Sequence, residues 1–202
     1  MTTFLLVRHG ATAHTALGRF SGSTGADPPL STVGEEQAAR LAASLRRAHH
    51  GGDRVDAVVS SPMRRARGTA EVLARALDLP VHLDGGLREV DFGAWEGRTV
   101  SEVARRWADD LAGWRSGADV APHGGETVAA VARRVGDVRR RLARDHPAGT
   151  VLLVSHLYPV RLSILDALGA PLAAVHRMLL EPTALSELRD ATLVRYNDAG
   201  HL

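Results

Sequence analysis

The sequence predicts an α/β protein with three layers, in which helices cover both faces of a mainly parallel central sheet. Short apolar runs rich in β-branched residues alternate with longer segments whose apolar residues recur at helical spacing. No linker of Pro, Gly and Ser divides the 202 residues, so we expect a single domain over residues 1–202. Apolar residues make up 45% and charged residues 24% of the chain, which is typical of a globular protein.

The first part of the chain predicts a strand followed by a long helix. The apolar run "TFLLV" (3–7) has the pattern of a buried strand. Ser31 or Thr32 then caps a helix whose Ala and Leu residues recur at helical spacing, and the glycine pair that begins at Gly51 ends it. A second buried strand follows at "VDAVVS" (55–60).

The middle of the chain predicts a helix, a short strand and then less regular structure. The helix is expected to begin with Ser61 as its cap and Pro62 in the first helical position. "VHL" (81–83) predicts a short strand, and the glycine-rich residues 85–100 follow without a regular pattern. A helix is then expected over "SEVARRWADDLAGW" (101–114), with its two Trp residues on one face.

The last part of the chain predicts two more helices and the remaining strands. Apolar residues over 128–142 form a stripe along a long helix, and we interpret its arginines, Arg134 among them, as a solvated face. "TVLLVS" (150–155) predicts a strand and "YPVRLSILDAL" (158–168) a helix. One or two further strands are expected near the C-terminus, most clearly at "ATLVRYN" (191–197).

The composition narrows the class of protein. All 25 basic side chains are Arg, but the formal net charge is only +2, so we expect no nucleic-acid partner. Cys is absent, which excludes a disulfide framework, a thiol nucleophile and Cys-ligated metal. The N-terminal residues do not resemble a signal peptide and no segment is suited to span a bilayer, so we expect a cytoplasmic protein without membrane contact. The sequence leaves the oligomeric state open, with a homodimer as one option.

Charged and reactive side chains collect where three of the predicted strands end. Arg8 and His9 follow the first strand, the segment 61–65 with two arginines follows the second, and 156–159, which begins with a histidine, follows the strand at 150–155. Because the carboxyl ends of parallel strands meet at one edge of a sheet, we expect these segments to lie together. Arginines, histidines and helix N-termini suit the binding of a phosphate group.

Such a site also holds the groups that phosphoryl transfer needs. A neutral imidazole is a nucleophile at neutral pH, and neighbouring arginines offset the negative charge of its target without a metal. A carboxylic acid must then protonate the leaving alkoxide. The loop "GLREVDFGAWEG" (86–97) offers Glu89, Asp91 and Glu96 for this role.

A series of motifs runs in order from "LLVRHGAT" near the N-terminus to "VSH" (154–156). Between them lie "GRFSG" (18–22), "PLSTVGEEQAARLA" (29–42), "SSPMRRARGTA" (60–70), "LREVDFGAWEG" (87–97) and "PHGGET" (122–127). The set, which covers about residues 4–160, resembles the histidine phosphatase superfamily, the group that includes cofactor-dependent phosphoglycerate mutase. The resemblance implies a phosphoglycerate mutase-like fold and chemistry that requires neither a metal nor another cofactor.

The resemblance also implies roles for particular side chains. His9 is the phosphate-accepting nucleophile, and Arg8 beside it binds phosphoryl oxygens. Arg65 is the arginine that precedes Ala and lies four residues before Thr, as in the family pattern. Glu89, two residues after Leu, is the acid that protonates the leaving group. His156 is the second histidine, which donates to the phosphoryl group in the transition state.

Four further positions are implied substrate contacts: Thr15, Ser21, Gly22 and Leu157. Thr15 stands where the family often has Asn, and its hydroxyl offers one hydrogen bond in place of an amide. Leu157 stands where the family usually has Gly after the second histidine. A branched side chain there narrows the site or makes it more apolar.

These expectations describe a metal-independent histidine acid phosphatase. It hydrolyses a small organic phosphate monoester through a phosphohistidine on His9, with Glu89 as general acid and base. One alternative is a phosphoglycerate mutase-type enzyme, which returns the phosphoryl group to substrate instead of water. Another is a binding protein that keeps an anion pocket without turnover. The sequence does not identify the substrate.

Overall fold

A six-stranded sheet forms the centre of the computed structural model, which describes residues 1–117 and 120–202. Its strands are β1 (Thr3–Arg8), β2 (Ala57–Ser60), β3 (Val81–Leu83), β4 (Thr150–Ser155), β5 (Leu185–Arg189) and β6 (Thr192–Asp198). Their order across the sheet is β3-β2-β4-β1-β5-β6. The strands from β3 to β1 are parallel, and β5 is antiparallel to both of its neighbours. The predicted sheet, mainly parallel, is confirmed.

The helices connect these strands and surround the sheet. They are α1 (Ala13–Ala16), α2 (Thr32–His50), α3 (Arg64–Leu77), α4 (Val100–Arg106), α5 (Ala108–Ser116), α6 (Val128–Asp145) and α7 (Leu157–Leu168). Short 3-10 helices lie at Gly85–Leu87, Gly93–Trp95 and Leu172–Arg177. Within the described part of the chain, every helix falls short of the length and apolar character that crossing a membrane requires.

Both faces of the sheet are covered, which confirms the predicted three layers. On one face, α2 and α3 pack against alternate strand residues such as Val58 and Leu152. On the other, α6 and α7 pack against the residues between them, such as Val59 and Leu153. Strands buried on both faces are apolar at nearly every position, which explains the unbroken apolar runs of the central strands.

A third apolar cluster is built largely from aromatic side chains. Phe92 and Trp95 from the loop after β3 pack with Trp114 of α5 and with Tyr158 at the start of α7. Their rings meet edge to face or tilted, with centroids such as those of Trp95 and Trp114 6.1 Å apart. The cluster joins α4 and α5 to the helices that cover the sheet.

The start of α3 differs from the prediction, which placed Ser61 at the cap and Pro62 in the first helical position. The prediction that Ser61 caps α3 is wrong, because the cap position is Met63 and the helix begins at Arg64. The Ser61 hydroxyl instead lies 2.8 Å from a ring nitrogen of His156. By contrast, Ser31 caps α2 as predicted, since its hydroxyl accepts a hydrogen bond from the backbone of Gly34 at 3.2 Å.

The helix expected over 101–114 is broken at Trp107, so the two Trp residues do not share one helix face. Trp107 has φ −138° and ψ 53°, outside the helical region, and separates α4 from α5. Its ring lies under the guanidinium groups of Arg98 and Arg106 near the surface. Trp114 is fully buried. The bend therefore allows one indole to enter the aromatic cluster while the other stays at the rim.

Two glycines allow the segment after β1 to lie directly on the start of α2. A Cβ on Gly34 would be 2.1 Å from the carbonyl oxygen of Ala11, and a Cβ on Gly10 would be 2.5 Å from the carbonyl oxygen of Gly34. Neither backbone has room to move away, because this contact continues into the strand end that carries His9.

We expect Gly34→Ala to destabilise the protein by about 1–3 kcal/mol, the usual cost of forcing extra volume into a packed region. Gly68→Ala is the matched control, since Gly68 is also helical but a Cβ there meets only a Leu30 side chain at 3.6 Å. The control should be neutral or stabilising by up to about 1 kcal/mol, because Ala favours helix over Gly. Chemical denaturation measures both changes, and equal stability of the two variants would contradict the close packing.

Candidate active site

The ends of β1, β2 and β4 bring the predicted histidines and arginines together. The rings of His9 and His156 lie with centroids 5.0 Å apart and planes at 63°. Arg65, from the first turn of α3, reaches the same place and is fully buried. The arrangement follows from the parallel order of these strands, whose carboxyl ends share one edge of the sheet.

His9 is held as a neutral ring with a lone pair on one nitrogen. Its Nδ1 lies 2.7 Å from the carbonyl oxygen of Gly10, which can only accept, so Nδ1 carries the proton and Nε2 carries the lone pair. Burial, together with the positive charges of Arg65 and Arg8, holds the pKa of His9 well below the usual 6.5. The imidazole is therefore neutral at neutral pH, the form that a nucleophile requires.

Arg65 is a buried cation, and each of its three side-chain nitrogens donates a hydrogen bond. Its Nε donates to Nε2 of His9 at 3.2 Å. One terminal nitrogen donates to the Asp27 carboxylate at 3.1 Å, and the other donates to the backbone carbonyl of Ser21 at 2.9 Å. The carbonyl of Arg65 itself accepts from the Thr69 hydroxyl at 2.9 Å. The guanidinium is thus fixed from several sides beside the nucleophile.

The Ser61 hydroxyl is the described hydrogen-bond partner of the His156 ring. It accepts from the backbone N–H of Met63 at 3.3 Å and lies 2.8 Å from Nε2 of His156. Nδ1 of His156 is buried and has no hydrogen-bond partner among the described residues. Burial and the charge of Arg65 hold the pKa of His156 well below its usual value, so this ring is also neutral.

Glu89 is buried at the N-terminus of α7. Its carboxylate accepts hydrogen bonds from the backbone N–H groups of Val90 at 3.0 Å, Leu157 at 3.1 Å and Tyr158 at 3.3 Å. Burial raises the pKa of Glu89, while the Val90 N–H and the charges of Arg65 and Arg8 oppose the rise. Opposing effects therefore act on the pKa of Glu89, which suits a group that can both donate and accept a proton.

The loop that carries Glu89 is fastened by an arginine of α6. Arg134 donates to the carbonyls of Gly86 at 2.8 Å, Arg88 at 2.7 Å and Glu89 at 3.0 Å. An ion pair with Glu126 at 2.8 Å orients the guanidinium. The interpretation of Arg134 as part of a solvated helix face is therefore wrong, because its side chain crosses to the loop instead of extending into solvent.

The other two acidic candidates of this loop have structural partners. Asp91 accepts from the Thr24 hydroxyl at 2.6 Å and from the backbone of Gly93 at 2.8 Å. Glu96 accepts from the backbone of Gly22 at 2.8 Å. Neither lines the cleft into which His9 opens, whereas Glu89 does. Among the three acids of this loop, Glu89 is therefore the one that lies in the cleft wall.

The cleft has a volume of about 210 Å³. Its walls are Arg8, His9, Thr12, Thr15, Gly18, Arg19, Phe20, Ser21, Glu89, Phe92, Val100, Leu157 and Tyr158. Arg8 donates to the carbonyl of Leu180 at 2.6 Å, and burial lowers its pKa to about 10, so it stays charged at neutral pH. A cation, a neutral nucleophile and an acid thus share one cavity.

The four implied substrate contacts fall in different places. Ser21 lines the cleft, and its buried hydroxyl has no hydrogen-bond partner among the described residues. Leu157 also lines it. Thr15 lies in the wall, but its hydroxyl pairs with Thr12 in the cap of α1. Gly22 is buried and does not form part of the cleft wall. Its carbonyl accepts a hydrogen bond from Arg65 at 3.3 Å.

Several residues that build the site were not singled out as site residues from the sequence: Asp27, Ser61, Thr69 and Arg134. Asp27 lies in a proline-rich turn, and nothing local indicates that it faces an arginine far along the chain. Ser61 gives a strong helix-cap signal, which hid its contact with a histidine. No group of three or more His, Cys, Asp or Glu side chains suited to hold a metal occurs within residues 1–117 and 120–202.

Comparison with known proteins gives matches along most of the chain. Residues 4–198 match the family model of the histidine phosphatase superfamily (branch 1). The chain is 40% identical over 185 residues to a Mycobacterium tuberculosis protein named as bifunctional. This match covers 92% of the present chain and 49% of the relative. The chain is 34% identical over 178 residues to phosphoserine phosphatase 1 of Hydrogenobacter thermophilus, covering 86% of this chain and 79% of the relative. The chain thus spans about half the length of the first of these relatives.

The fold is also similar to that of solved phosphatases. A phosphoserine phosphatase mutant from Entamoeba histolytica, in complex with phosphoserine, matches with a TM-score of 0.88 at 29% identity, over 100% of both chains. Because the family model matches residues 4–198, this chain belongs to the histidine phosphatase superfamily.

Proposed function

We propose that this chain is a phosphomonoester hydrolase that works through a phosphohistidine on His9. The observation that carries the proposal is the state of this ring, which is neutral and presents its Nε2 lone pair beside the buried cation Arg65. An anion that enters the cleft meets positive charge and a nucleophile at the same point. The relatives named as phosphatases support the hydrolytic assignment.

The first step transfers the phosphoryl group to the enzyme. The ester's phosphoryl oxygens replace His9 as acceptors of the Arg65 donors, and Arg8 and the Nδ1 proton of His156 bind further oxygens. Nε2 of His9 attacks phosphorus in line, the P–O bond to the alcohol breaks, and Glu89 gives its proton to the leaving oxygen. Positive charge fixed in place before the reaction stabilises the transition state.

The second step releases phosphate to water. Glu89, now a carboxylate, takes a proton from a water molecule that attacks the phosphorus atom, and the bond to Nε2 of His9 breaks. The three backbone N–H groups that Glu89 accepts from stabilise its carboxylate between the steps. Burial favours the return of the proton, and the negative charge of the next bound ester adds to this effect.

His9→Ala should lose phosphate release down to the background rate while the protein stays folded, because the side chain lies at the edge of the sheet. The wild-type protein, quenched during turnover, should carry acid-labile, base-stable phosphate. His82→Ala is the control, since His82 is exposed on β3 and outside the cleft. A chelator should change neither signal, because arginines supply the positive charge. Undiminished turnover by His9→Ala contradicts the proposal.

The same experiment separates the two alternatives. A mutase-type enzyme forms the phosphohistidine but returns the phosphoryl group to an organic acceptor, so free phosphate stays low while an isomeric ester accumulates. An anion-binding protein without turnover forms no phosphohistidine and shows only retention of phosphate. Product analysis by ³¹P NMR, alongside the trapped phosphoenzyme, distinguishes these outcomes from hydrolysis.

Glu89→Gln should slow the hydrolysis of alkyl phosphates by roughly 100- to 10,000-fold, the usual contribution of general acid catalysis. Phosphoenzyme formation from p-nitrophenyl phosphate should suffer much less, because that leaving group departs without a proton. Asp91→Asn and Glu96→Gln are the matched controls and should show no dependence on the leaving group. If either control shows that dependence and Glu89→Gln does not, the acid has been assigned to the wrong residue.

Ser61→Ala should lower kcat about tenfold with a smaller effect on KM, in line with losses seen when the partner that orients an active-site histidine is removed. Without the hydroxyl, His156 can carry its proton on Nε2 and present no donor to the phosphoryl group. Ser61→Thr keeps the hydroxyl and should restore most of kcat. A loss that Thr does not restore, or no loss in Ala, shows that Ser61 does not set the proton position of His156.

A further inference from the structure

Resting on the proposed function, we propose that the substrate is a phosphate monoester of a bulky, uncharged apolar alcohol. In this assignment the inner half of the cleft binds the phosphoryl group and the outer half binds the alcohol. Esters that carry a second negative charge close to the phosphate are then poor substrates. The proposal depends on which side chains form the outer wall and on how the charges near it are paired.

Apolar side chains form one continuous side of the cleft: Phe20, Phe92, Val100, Leu157 and Tyr158. Val100 is 40% exposed, although an exposed valine in the first turn of a helix has no structural need to be apolar. Leu157 places a branched side chain next to the reacting groups, since its own backbone N–H bonds to Glu89. An alcohol bound here is surrounded by carbon atoms and gains by leaving water.

The aromatic part of this wall is rigid and presents rings instead of polar atoms. Phe20 and Phe92 pack with centroids 4.9 Å apart, and Phe92 and Tyr158 pack at 5.8 Å. The Tyr158 hydroxyl is engaged inside the aromatic cluster, where it accepts from Nε1 of Trp114 at 3.1 Å. Tyr158 therefore offers its ring to an occupant, and a preformed apolar wall binds without a cost of ordering.

Backbone pairing joins two parts of the wall to each other. The Phe20 N–H donates to the carbonyl of Arg98 at 2.8 Å, and the Gly97 N–H donates to the carbonyl of Phe20 at 2.9 Å. Arg19 and Thr99 form an antiparallel bridge next to them. Phe20 and Val100 thus face the cleft from two segments that are tied together.

The outer half of the cleft has one cation in its wall, and that cation already has an acidic neighbour. Arg8 lies beside the nucleophile and belongs to the phosphoryl end. Arg19 is the outer cation of the cleft walls, and it is directed at the Gly97 carbonyl and lies 4.0 Å from the Glu102 carboxylate. A carboxylate on the substrate would compete with Glu102 for this guanidinium and would be placed against the apolar wall, which disfavours it.

The test compares esters of three primary alcohols, which differ in the size and the charge of the alcohol. With the wild-type protein, 2-phenylethyl phosphate should be hydrolysed with a kcat/KM roughly tenfold or more above that of phosphoserine, the discrimination expected of a few methylene-sized contacts. Propyl phosphate, which lacks both the ring and the second charge, should fall between them. Both comparisons are made with the phosphohistidine on His9 measured in parallel.

Val100→Arg places a cation in the outer wall. It should shift the ratio of kcat/KM for 2-phenylethyl phosphate to kcat/KM for phosphoserine toward phosphoserine by about tenfold or more. Val33→Arg is the matched control, because Val33 is also an exposed valine in the first turn of a helix but does not line the cleft. Leu157→Ala should lower the efficiency for 2-phenylethyl phosphate more than for propyl phosphate. Its control is Leu168→Ala, an exposed position at the other end of the same helix.

The outcomes distinguish this inference from the function on which it rests. Ratios are taken within each variant, so a partial loss of folded protein cancels. If phosphoserine is the better substrate, or if Val100→Arg leaves the ratio unchanged, the apolar assignment is overturned. The proposed hydrolase function still stands in that case, provided that the phosphohistidine on His9 is trapped. If no ester yields a phosphohistidine or free phosphate, the proposed function fails and the assignment of its substrate fails with it.

Discussion

The buried guanidinium of Arg65 is the group around which the site is arranged. A cation without exposure to water is strongly destabilising unless its donors are paired, and here the partners are Asp27, backbone carbonyls and His9. These partners come from the segment after α1 and from the end of β1. The position of the guanidinium therefore fixes that segment relative to the strand that ends at His9. The Thr69 hydroxyl completes this link, because it donates to the carbonyl of Arg65 and accepts from the backbone of Gly10.

A second set of contacts holds the acid in the same way. The Glu89 carboxylate is bound by backbone N–H groups at the N-terminus of α7, and Arg134 binds the carbonyls of the loop on the other side. The side chains of Asp27 and His9 help to hold the Arg65 guanidinium, and both Arg65 and Glu89 are also bound by backbone groups. Such groups cannot rotate as side chains do, so the geometry persists without a bound ligand.

Much of the fold follows from patterns that operate over short distances. The apolar runs gave β1, β2 and β4 because strands buried on both faces must be apolar throughout. The cap at Ser31 was recognisable because a cap bonds to a residue three positions away. Contacts between distant segments carried no such signal, and Ser61 shows the result: its local pattern indicated a cap, but its hydroxyl serves His156. Single-domain organisation, a cytoplasmic location and a homodimer stay predictions of the sequence.

The site residues show the same contrast between short-range sequence patterns and contacts between distant segments. His9, Arg8, Arg65, Glu89 and His156 were predicted from motifs, and they lie together at the sheet edge. Asp27 and Arg134 were missed, because their partners lie 38 and 45 residues away along the chain. A pattern confined to one segment reports which chemistry is present. The distances that make the chemistry work arise only when the segments fold together.

The bond between Trp114 and Tyr158 gives the protein an optical reporter of its own cleft. Tyr158 forms part of the wall, and its hydroxyl accepts from the indole nitrogen of Trp114, which is otherwise sealed in the aromatic cluster. An occupant that presses on the tyrosine ring alters the polarity around that indole. Tryptophan emission therefore follows occupancy in real time without an added dye. Since Trp107 is near the surface, selective quenching by a charged solute leaves the emission of the two buried indoles, Trp95 and Trp114.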